Sequence, residues 1–445
     1  MQPSTREPGQ FISTSARDRQ VVERLNALFA RAAAEGVSDI HIEDGDHRAV
    51  IRVRRSGALE NWSEWPLAEA RSAQDKIRMK ARLSTSEEAQ PLDGRMFFET
   101  GGRTVDMRVS ILPVRTGHSV VLRLLDQNNA QRRLADIEMA EPVRERLQRL
   151  LGEPHGMFLV SGPTGSGKTS TLYSMLNELN TPDRKIVTIE DPVEYRLAGI
   201  NQVNVTRHLT FADGLRSILR QDPDVILVGE IRDAETARIA VEAALTGHLV
   251  LSTTHANSAD TTITRMLDLG VDPFSLATVL KGVIAQRLVR RLCTHCAERT
   301  PPSAREIAWL SHEGIEDLTG PLARAVGCAH CGGTGYAGRM AVMELIAMEP
   351  TIVGAVENRS PAAAIQRLAV EQHWYRTLSQ AAIAWCRRGL TSFQEVVRIG
   401  EGMEAADPAE TGAQRTARSR GTAAYLRAGA KDSRGGSRDE PPPGA

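Results

Sequence analysis

The feature that most constrains the fold is a glycine-rich segment within the 445-residue chain, Gly162-Pro-Thr-Gly-Ser-Gly-Lys-Thr169. It matches the pattern G-x-x-x-x-G-K-[ST] at every specified position. An apolar, strand-like stretch, Met157–Val160, precedes the segment, and a helix-like stretch, 170–176, follows it. A strand, a glycine-rich loop and a helix in this order predict a loop whose backbone N–H groups and helix N-terminus bind phosphate.

This predicted phosphate loop also supplies side chains for a nucleoside triphosphate. Lys168 is placed to contact the β- and γ-phosphates, and Thr169 can ligate Mg²⁺. The predicted nucleotide-binding residues are Gly162, Pro163, Thr164, Gly165, Ser166, Gly167, Lys168 and Thr169. A glycine-rich turn that binds no ligand is the alternative interpretation, and the flanking strand and helix argue against it.

Two further apolar stretches end in carboxylates. The stretch 186–189 is followed by Glu190, and the stretch 225–228 leads to Glu230. Because parallel strands end at the ligand crevice of an α/β sheet, both acids are expected beside the phosphate loop. Glu230 is predicted to hold Mg²⁺ together with Thr169 or to position the attacking water, and Glu190 is a candidate general base. Either acid taken alone would more commonly be a solvated loop carboxylate.

A third apolar stretch, 249–252, lies between two histidines. His248 precedes the stretch, and His255 follows shortly after it. One interpretation is that His255 senses the γ-phosphate of the bound nucleotide. A hydrogen-bonded core histidine would have the same sequence signature, so both interpretations stay open at this point.

The chain divides into segments of different pattern. Strands alternate with helices over 139–290, which predicts an α/β fold with a parallel sheet and helices on both faces. Short alternating strands, with a helix rich in Lys and Arg near 71–83, predict a smaller α+β domain at 19–126, followed by a linker at 127–138. The other predicted segments are a disordered lead-in at 1–18, a cysteine-bearing subdomain at 291–340, a helical subdomain at 341–403 and a disordered tail at 404–445.

Four of the five cysteines form two Cys-x-x-Cys pairs. These are Cys293 with Cys296 and Cys328 with Cys331. Two such pairs can supply four thiolates to a tetrahedral Zn²⁺, and a site closed by four cysteines is structural rather than catalytic. Reduced thiols without a metal are the alternative. The fifth, Cys386, is predicted to pack in a helix.

Composition excludes some classes of function. The chain has 55 Lys and Arg residues against 55 Asp and Glu, and only 4% aromatic residues, which argues against direct nucleic-acid binding. It has neither an apolar run long enough for a transmembrane segment nor an apolar signal core at the N-terminus. The sequence therefore predicts a cytoplasmic protein that reaches a membrane only through a partner.

Together, these motifs resemble the motor ATPases of type II secretion and type IV pilus assembly, the GspE/PulE/PilB group, over about residues 20–400. Pilus-retraction motors of this type lack the tetracysteine insertion that the present chain carries. The matching segments are Ser38–Glu43, Pro91–Arg95, Val105–Ser110, the phosphate loop, Ile189–Glu194, Leu219–Asp233, Thr246–Asn257 and the four paired cysteines.

The resemblance implies a fold and residue roles. The fold would be a RecA-like P-loop core preceded by a smaller PAS-like α+β domain and interrupted by the tetracysteine zinc insertion. Glu190 would be the general base, Glu230 the Walker B acid, and His248 and His255 the pair of the family's His box. The arginines around the phosphates would be Arg108 and Arg123 of the N-terminal domain together with Arg216, Arg220 and Arg232. For any one arginine, a surface salt bridge is the alternative role.

The resemblance also implies an assembly. It predicts a homo-hexameric ATPase, peripheral at the inner membrane, that works on a platform protein and a membrane scaffold to build a pseudopilus and drive export. A type IV pilus-extension ATPase is the alternative within the family. Alternatives from other classes are a zinc-containing nucleic-acid translocase and a nucleotide-dependent scaffold with negligible turnover.

Overall fold

The computed structural model describes residues 19–55, 57–85, 89–126 and 131–404. The predicted lead-in at 1–18, residues 127–130 of the predicted linker and residues 405–445 of the predicted tail lie outside the described residues. Within the described ranges, no helix is both long enough and apolar enough to cross a lipid bilayer.

The N-terminal domain is an antiparallel sheet with two helices. Its elements are α1 (Arg19–Ala34), β1 (Val37–Asp44), β2 (Arg48–Arg55), β3 (Ala58–Pro66), α2 (Leu67–Lys80), β4 (Leu92–Thr100), β5 (Arg103–Val114) and β6 (Gly117–Asp126). The strand order is β3-β2-β1-β6-β5-β4. The α+β prediction for this region matches the observed elements.

Helix α1 forms because its apolar residues recur on one face. Leu25, Phe29 and Ala32 are fully buried there. Phe29 meets Phe98 of β4 edge-on with ring centroids 5.4 Å apart, and burying one such ring contributes roughly 2–3 kcal/mol. The sequence did not reveal β3, since Trp65 is its one buried residue and no apolar alternation marks it.

The remaining elements build the second domain and its appendages. They are α3 (Glu141–Leu151), β7 (Gly156–Ser161), α4 (Lys168–Leu179), β8 (Ile186–Glu190), β9 (Asn201–Asn204), α5 (Phe211–Ile218), β10 (Val225–Val228), α6 (Ala234–Leu245), β11 (Leu249–Thr254), α7 (Ala259–Asp268), α8 (Pro273–Val279), β12 (Leu280–Leu292), β13 (Glu298–Thr300), α9 (Ala304–His312), β14 (Leu322–Arg324), β15 (Tyr336–Ala347), α10 (Pro350–Glu357), α11 (Ala362–Ala369), α12 (Leu378–Arg387) and α13 (Phe393–Glu404).

The central sheet has seven strands in the order β15-β12-β7-β11-β10-β8-β9. All neighbouring pairs are parallel except β12 with β15. Apolar side chains of both faces are buried: Met157 and Leu159 belong to one core, and Phe158 and Val160 to the other. The predicted α/β architecture, with a parallel sheet covered on both sides, is confirmed.

One local prediction is wrong. The stretch beginning at residue 341 was expected to be helical, yet residues 341–347 belong to β15 at the sheet edge. Val342 packs into one core and Met343 into the other. A strand buried on both faces has a continuous apolar run without alternation, and periodicity alone cannot separate such a run from a buried helix.

The four paired cysteines lie where β12 and β15 leave the sheet. The chain between them forms a small two-stranded sheet, β13 with β14, and helix α9. Cys386 lies in α12 and is fully buried, with its sulfur 3.7 Å from the carbonyl oxygen of Ala323.

Candidate functional site

The phosphate loop joins β7 directly to α4. Gly165 and Gly167 have φ of 80° and 89°, a left-handed conformation that glycine adopts without steric cost. At Gly162 a Cβ atom would lie 2.4 Å from the carbonyl oxygen of Gln286, so a larger residue would push the loop off β12. Residues 164–167 of the loop and the first turn of α4, including Thr169, line a cavity of about 870 Å³, whereas Gly162 and Pro163 do not line it.

Lys168 is the first residue of α4. Its ammonium group donates to the carbonyl oxygens of Gly162 at 2.7 Å and Pro163 at 3.2 Å. Burial lowers the pKa of Lys168, and the nearby Glu230 carboxylate opposes that shift. The cation is therefore held inside the loop, at the place where a phosphate charge would stabilise it.

Glu190 ends β8 and is almost completely buried. Its Oε1 accepts from Thr188 at 2.6 Å and from Gln202 at 3.3 Å, and its Oε2 accepts from the hydroxyl of Tyr173. Burial raises the pKa of Glu190, and the hydrogen bonds from these groups act against that shift. The carboxylate is thus fixed in orientation and made more basic than a solvated glutamate.

Glu230 and His255 follow the neighbouring strands β10 and β11. His255 Nε2 lies 3.3 Å from one oxygen of Glu230, and Arg232 forms an ion pair with the other. All three line the same cavity as the phosphate loop and Glu190. The carboxyl ends of β7, β8, β10 and β11 therefore gather the loop, both acids and His255 at one edge of the sheet.

His248 is placed elsewhere. It precedes β11, at the opposite edge of the sheet from His255, and its Nδ1 lies 2.9 Å from the carbonyl oxygen of Ala243. It does not line the cavity. Within the chain, the two histidines that the resemblance pairs are separated by the length of one strand.

Four of the five predicted arginines fall into two groups. Arg123 and Arg232 line the cavity, and Arg123 pairs with Asp39 at 2.9 Å. Arg216 and Arg220 lie on and just after α5, outside the cavity lining, where Arg216 pairs with Glu235.

Arg108 joins the two domains. From β5 of the N-terminal domain it forms an ion pair of 3.0 Å with Glu194 and donates to the carbonyl oxygen of Val193 at 3.2 Å. Glu194 itself lines the cavity. Asp39, Arg54 and Arg123 of the N-terminal domain also line the cavity, so both domains contribute to it.

The sequence prediction missed several residues of this cavity. Arg54 and Arg339 line it, and Tyr173 orients Glu190. Gln286 on β12 is buried and holds the phosphate loop. The signal that could have revealed Gln286 is its place directly after the apolar run Val283–Ala285, where a polar side chain is unusual. Nothing in the local sequence sets Arg54 or Arg339 apart from surface arginines.

The four cysteines form a compact cluster. Their sulfur atoms all lie within 4.8 Å of one another, with separations of 3.9 Å for Cys293–Cys328 and 3.8 Å for Cys296–Cys331 and Cys328–Cys331. A tetrahedron with Zn–S bonds of about 2.3 Å requires sulfurs about 3.8 Å apart. The residues present therefore fit a four-thiolate zinc ion.

Backbone N–H groups also point at the cluster. Those of Cys328 and Gly335 reach the sulfur of Cys331 at 3.2 and 3.1 Å, and that of Gly327 reaches Cys296 at 3.4 Å. Such contacts favour the thiolate form, which is the form that binds metal.

Comparison with known proteins identifies the family of this chain. A family model described as "Type II/IV secretion system protein" matches residues 14–398. Type II secretion system protein E of Klebsiella pneumoniae is 45% identical over 391 residues, which is 87% of this chain and 77% of that protein. Type II secretion system ATPase E of Vibrio cholerae is 41% identical over 394 residues, 86% of this chain and 76% of that protein. The chain belongs to the type II/IV secretion system protein family.

Solved structures agree on the fold of this family member. The pilus retraction motor PilT with bound ADP is 26% identical, with a TM-score of 0.59 over 87% of this chain and 98% of PilT. The Legionella pneumophila ATPase DotB, at 22% identity, has a TM-score of 0.63 over 89% of this chain and 98% of DotB. The predicted family and the predicted P-loop ATPase fold are confirmed, and the chain is a secretion-system ATPase.

Proposed function

We propose that this secretion ATPase binds ATP in the cavity between its two domains and hydrolyses it to drive assembly of a type II secretion pseudopilus. The observation that carries the proposal is the shared edge of the sheet, where the phosphate loop, Glu190, Glu230 and His255 line one cavity closed by the N-terminal domain. The names of the relatives favour type II secretion over pilus extension.

Each group has a chemical task in this proposal. The N-terminus of α4 and Lys168 bind the phosphates, and Thr169 and Glu230 would hold Mg²⁺, which would supply positive charge against the negative charge of the nucleotide. Glu190 accepts the proton of the attacking water, because its carboxylate is oriented by hydrogen bonds and has a raised pKa. His255, beside Glu230, is the residue that senses the γ-phosphate.

Hydrolysis is coupled to domain movement in this proposal. Arg123 faces the cavity from the N-terminal domain, and Arg108 holds Glu194 across the domain boundary. Guanidinium groups stabilise the spread charge of a γ-phosphoryl group, so its loss weakens the closed arrangement. In a homo-hexamer, this change would be passed to an inner-membrane platform protein and scaffold, with the ATPase held at the membrane by these partners.

We assign the tetracysteine cluster a structural zinc ion. The sulfur separations match a closed four-thiolate site, which leaves no open position for catalysis.

The test of the function uses the full-length protein. K168A removes the cation that binds the phosphates, and we expect a loss of ATP affinity on the order of 100-fold, since hydrogen bonds to charged groups contribute roughly 1.5–3 kcal/mol. K185A is the matched control, because Lys185 precedes β8 at the far edge of the sheet and bonds the carbonyl of Gln221.

Both variants are then expressed in a strain that lacks the wild-type protein. We expect K168A to abolish export of a secreted enzyme and K185A to retain it. Loss of surface pili with export intact would assign the chain to pilus extension. Unchanged ATP affinity in K168A would contradict the phosphate-loop assignment.

A further inference from the structure

Gln286 contacts the phosphate loop and the helix that follows it. It lies on β12, next to β7 in the sheet, and is almost fully buried. Its amide Nε2 donates to the carbonyl oxygen of Ser166 at 2.8 Å, and its Oε1 accepts from the hydroxyl of Thr171 at 2.7 Å. One side chain thereby bridges the loop to the first turn of α4, with both ends of its amide bonded.

The loop is also shaped around this residue. A Cβ atom at Gly162 would lie 2.4 Å from the backbone oxygen of Gln286, and a Cβ atom at Gly167 would lie 2.8 Å from its Nε2. The backbone of residue 286 therefore requires glycine at position 162, and a side chain at position 167 would displace the Gln286 amide from its hydrogen bonds. The loop is built against β12 as well as around its ligand.

The next residue, Arg287, holds the other loop of the site. Its guanidinium donates to the backbone oxygen of Asn257 at 2.9 Å and to the side-chain oxygen at 3.3 Å. It also donates to the backbone oxygen of Gln286 at 3.1 Å. Asn257 lies two residues after His255, so Arg287 fixes the segment that carries the histidine.

We propose that Gln286 and Arg287 are positioning residues for the nucleotide reaction. Gln286 sets the shape of the phosphate loop, and Arg287 sets the position of the His255 segment. Successive residues of a strand point to opposite faces, so two adjacent residues of β12 contact two different loops. The strand thereby fixes the position of one loop relative to the other. The inference rests on the proposed function, since it assigns these residues to ATP binding and hydrolysis.

The two residues make different kinetic predictions. The loop cradles phosphates that ATP and ADP share, so Q286L should weaken the binding of both nucleotides by at least about tenfold, as expected when a binding geometry is lost. His255 is expected to act on the γ-phosphate, so R287K should lower kcat by about tenfold and leave ADP affinity within about twofold. Lysine keeps the positive charge but cannot make the forked contact.

A matched control separates positioning from folding. Gln372 is also buried, and its amide donates to the backbone oxygen of Ala347 at 2.7 Å and accepts from the N–H of Ala347 at 3.2 Å, away from the cavity. Gln372 also accepts from the indole N–H of Trp374 at 3.1 Å, so Q372L removes three buried hydrogen bonds where Q286L removes two. We expect the thermal midpoint of Q372L to fall at least as far as that of Q286L, with nucleotide affinity reduced in Q286L alone.

The experiment is an equilibrium titration with ATP and ADP and a steady-state phosphate assay on the full-length protein. Where Q286L does not yield folded protein, T171V makes the same test by removing one of the two contacts. Wild-type protein that binds no ATP would overturn the proposed function. If the wild type binds ATP, and Q286L (or T171V in its place) binds nucleotide as tightly as Q372L does, the inference alone is overturned. An unchanged kcat in R287K would also overturn it.

Discussion

The nucleotide site and the tetracysteine cluster are held together in different ways. The nucleotide site gathers residues from positions 162 to 339, together with residues of the N-terminal domain, and buried hydrogen bonds such as those to Glu190 and Gln286 fix it. The cysteine cluster brings together two short motifs, and backbone N–H groups from the same segments reach its sulfur atoms. The first site is organised by the sheet before any ligand binds, whereas the second fits the geometry of a metal that would complete it.

The largest expected effect is on zinc content and thermal stability, and it concerns the tetracysteine cluster. C331A removes one thiolate, so we expect zinc content to fall from about one ion per chain to none, and the thermal midpoint to fall by roughly 5 °C or more. C386A is the control, because Cys386 is buried outside the cluster. Metal analysis and thermal unfolding measure both. A zinc-free wild-type protein after chelator-free purification would contradict the assignment.

A smaller effect should separate the two histidines. H255A removes the group 3.3 Å from Glu230, so we expect kcat to fall by about tenfold. H248A changes a residue at the opposite edge of the sheet, so kcat should stay within about twofold. Steady-state phosphate release measures both variants. An equal loss in H248A would support the role that the family resemblance gives this histidine and contradict the expectation from its position.

The smallest expected effect is a shift in pH dependence. Burial raises the pKa of Glu190, so kcat should fall on acidification at a higher pH than a solvated glutamate would cause, as the carboxylate takes up a proton. The hydrogen bond from Tyr173 favours the charged form, so Y173F should move this acid limb to still higher pH.

Y336F is the matched control, since Tyr336 is a buried tyrosine whose hydroxyl lies 2.8 Å from Ser392, away from the cavity. The pH profile of kcat is measured for both variants. An acid limb in Y173F that stays at the wild-type pH, or moves lower, would contradict the role of Glu190.

Some of the site could be read from local sequence. The phosphate loop, the strands that end in Glu190 and Glu230, and the cysteine pairs can each be recognised from a few adjacent residues. The sheet topology then brings Glu190 and Glu230 to one edge of the sheet. The position of His248 could not be predicted from local sequence. His248 and His255 flank the same strand, and the direction of that strand decides which of them lies beside the nucleotide cavity.

Other features depend on tertiary contacts. Residues 340–347 of β15 are buried on both faces and are apolar except for Glu344, so they gave no period to distinguish a strand from a helix. Gln286 works through Ser166 and Thr171, which are more than 100 residues away in sequence. Arg54 reaches the cavity from β2 of the N-terminal domain, and Arg339 reaches it from β15 of the second domain. No local pattern encodes such long-range contacts.

The most direct test of the central claim measures phosphate release by the full-length protein with ATP, Mg²⁺ and its assembly partners, in wild type and E190Q. The substitution keeps the shape of the side chain and removes its basicity. The account predicts wild-type turnover, a fall in kcat of roughly 10²–10⁴ in E190Q, and ATP affinity within about threefold of wild type. E190Q that releases phosphate at the wild-type rate, or wild-type protein that releases none, would contradict it.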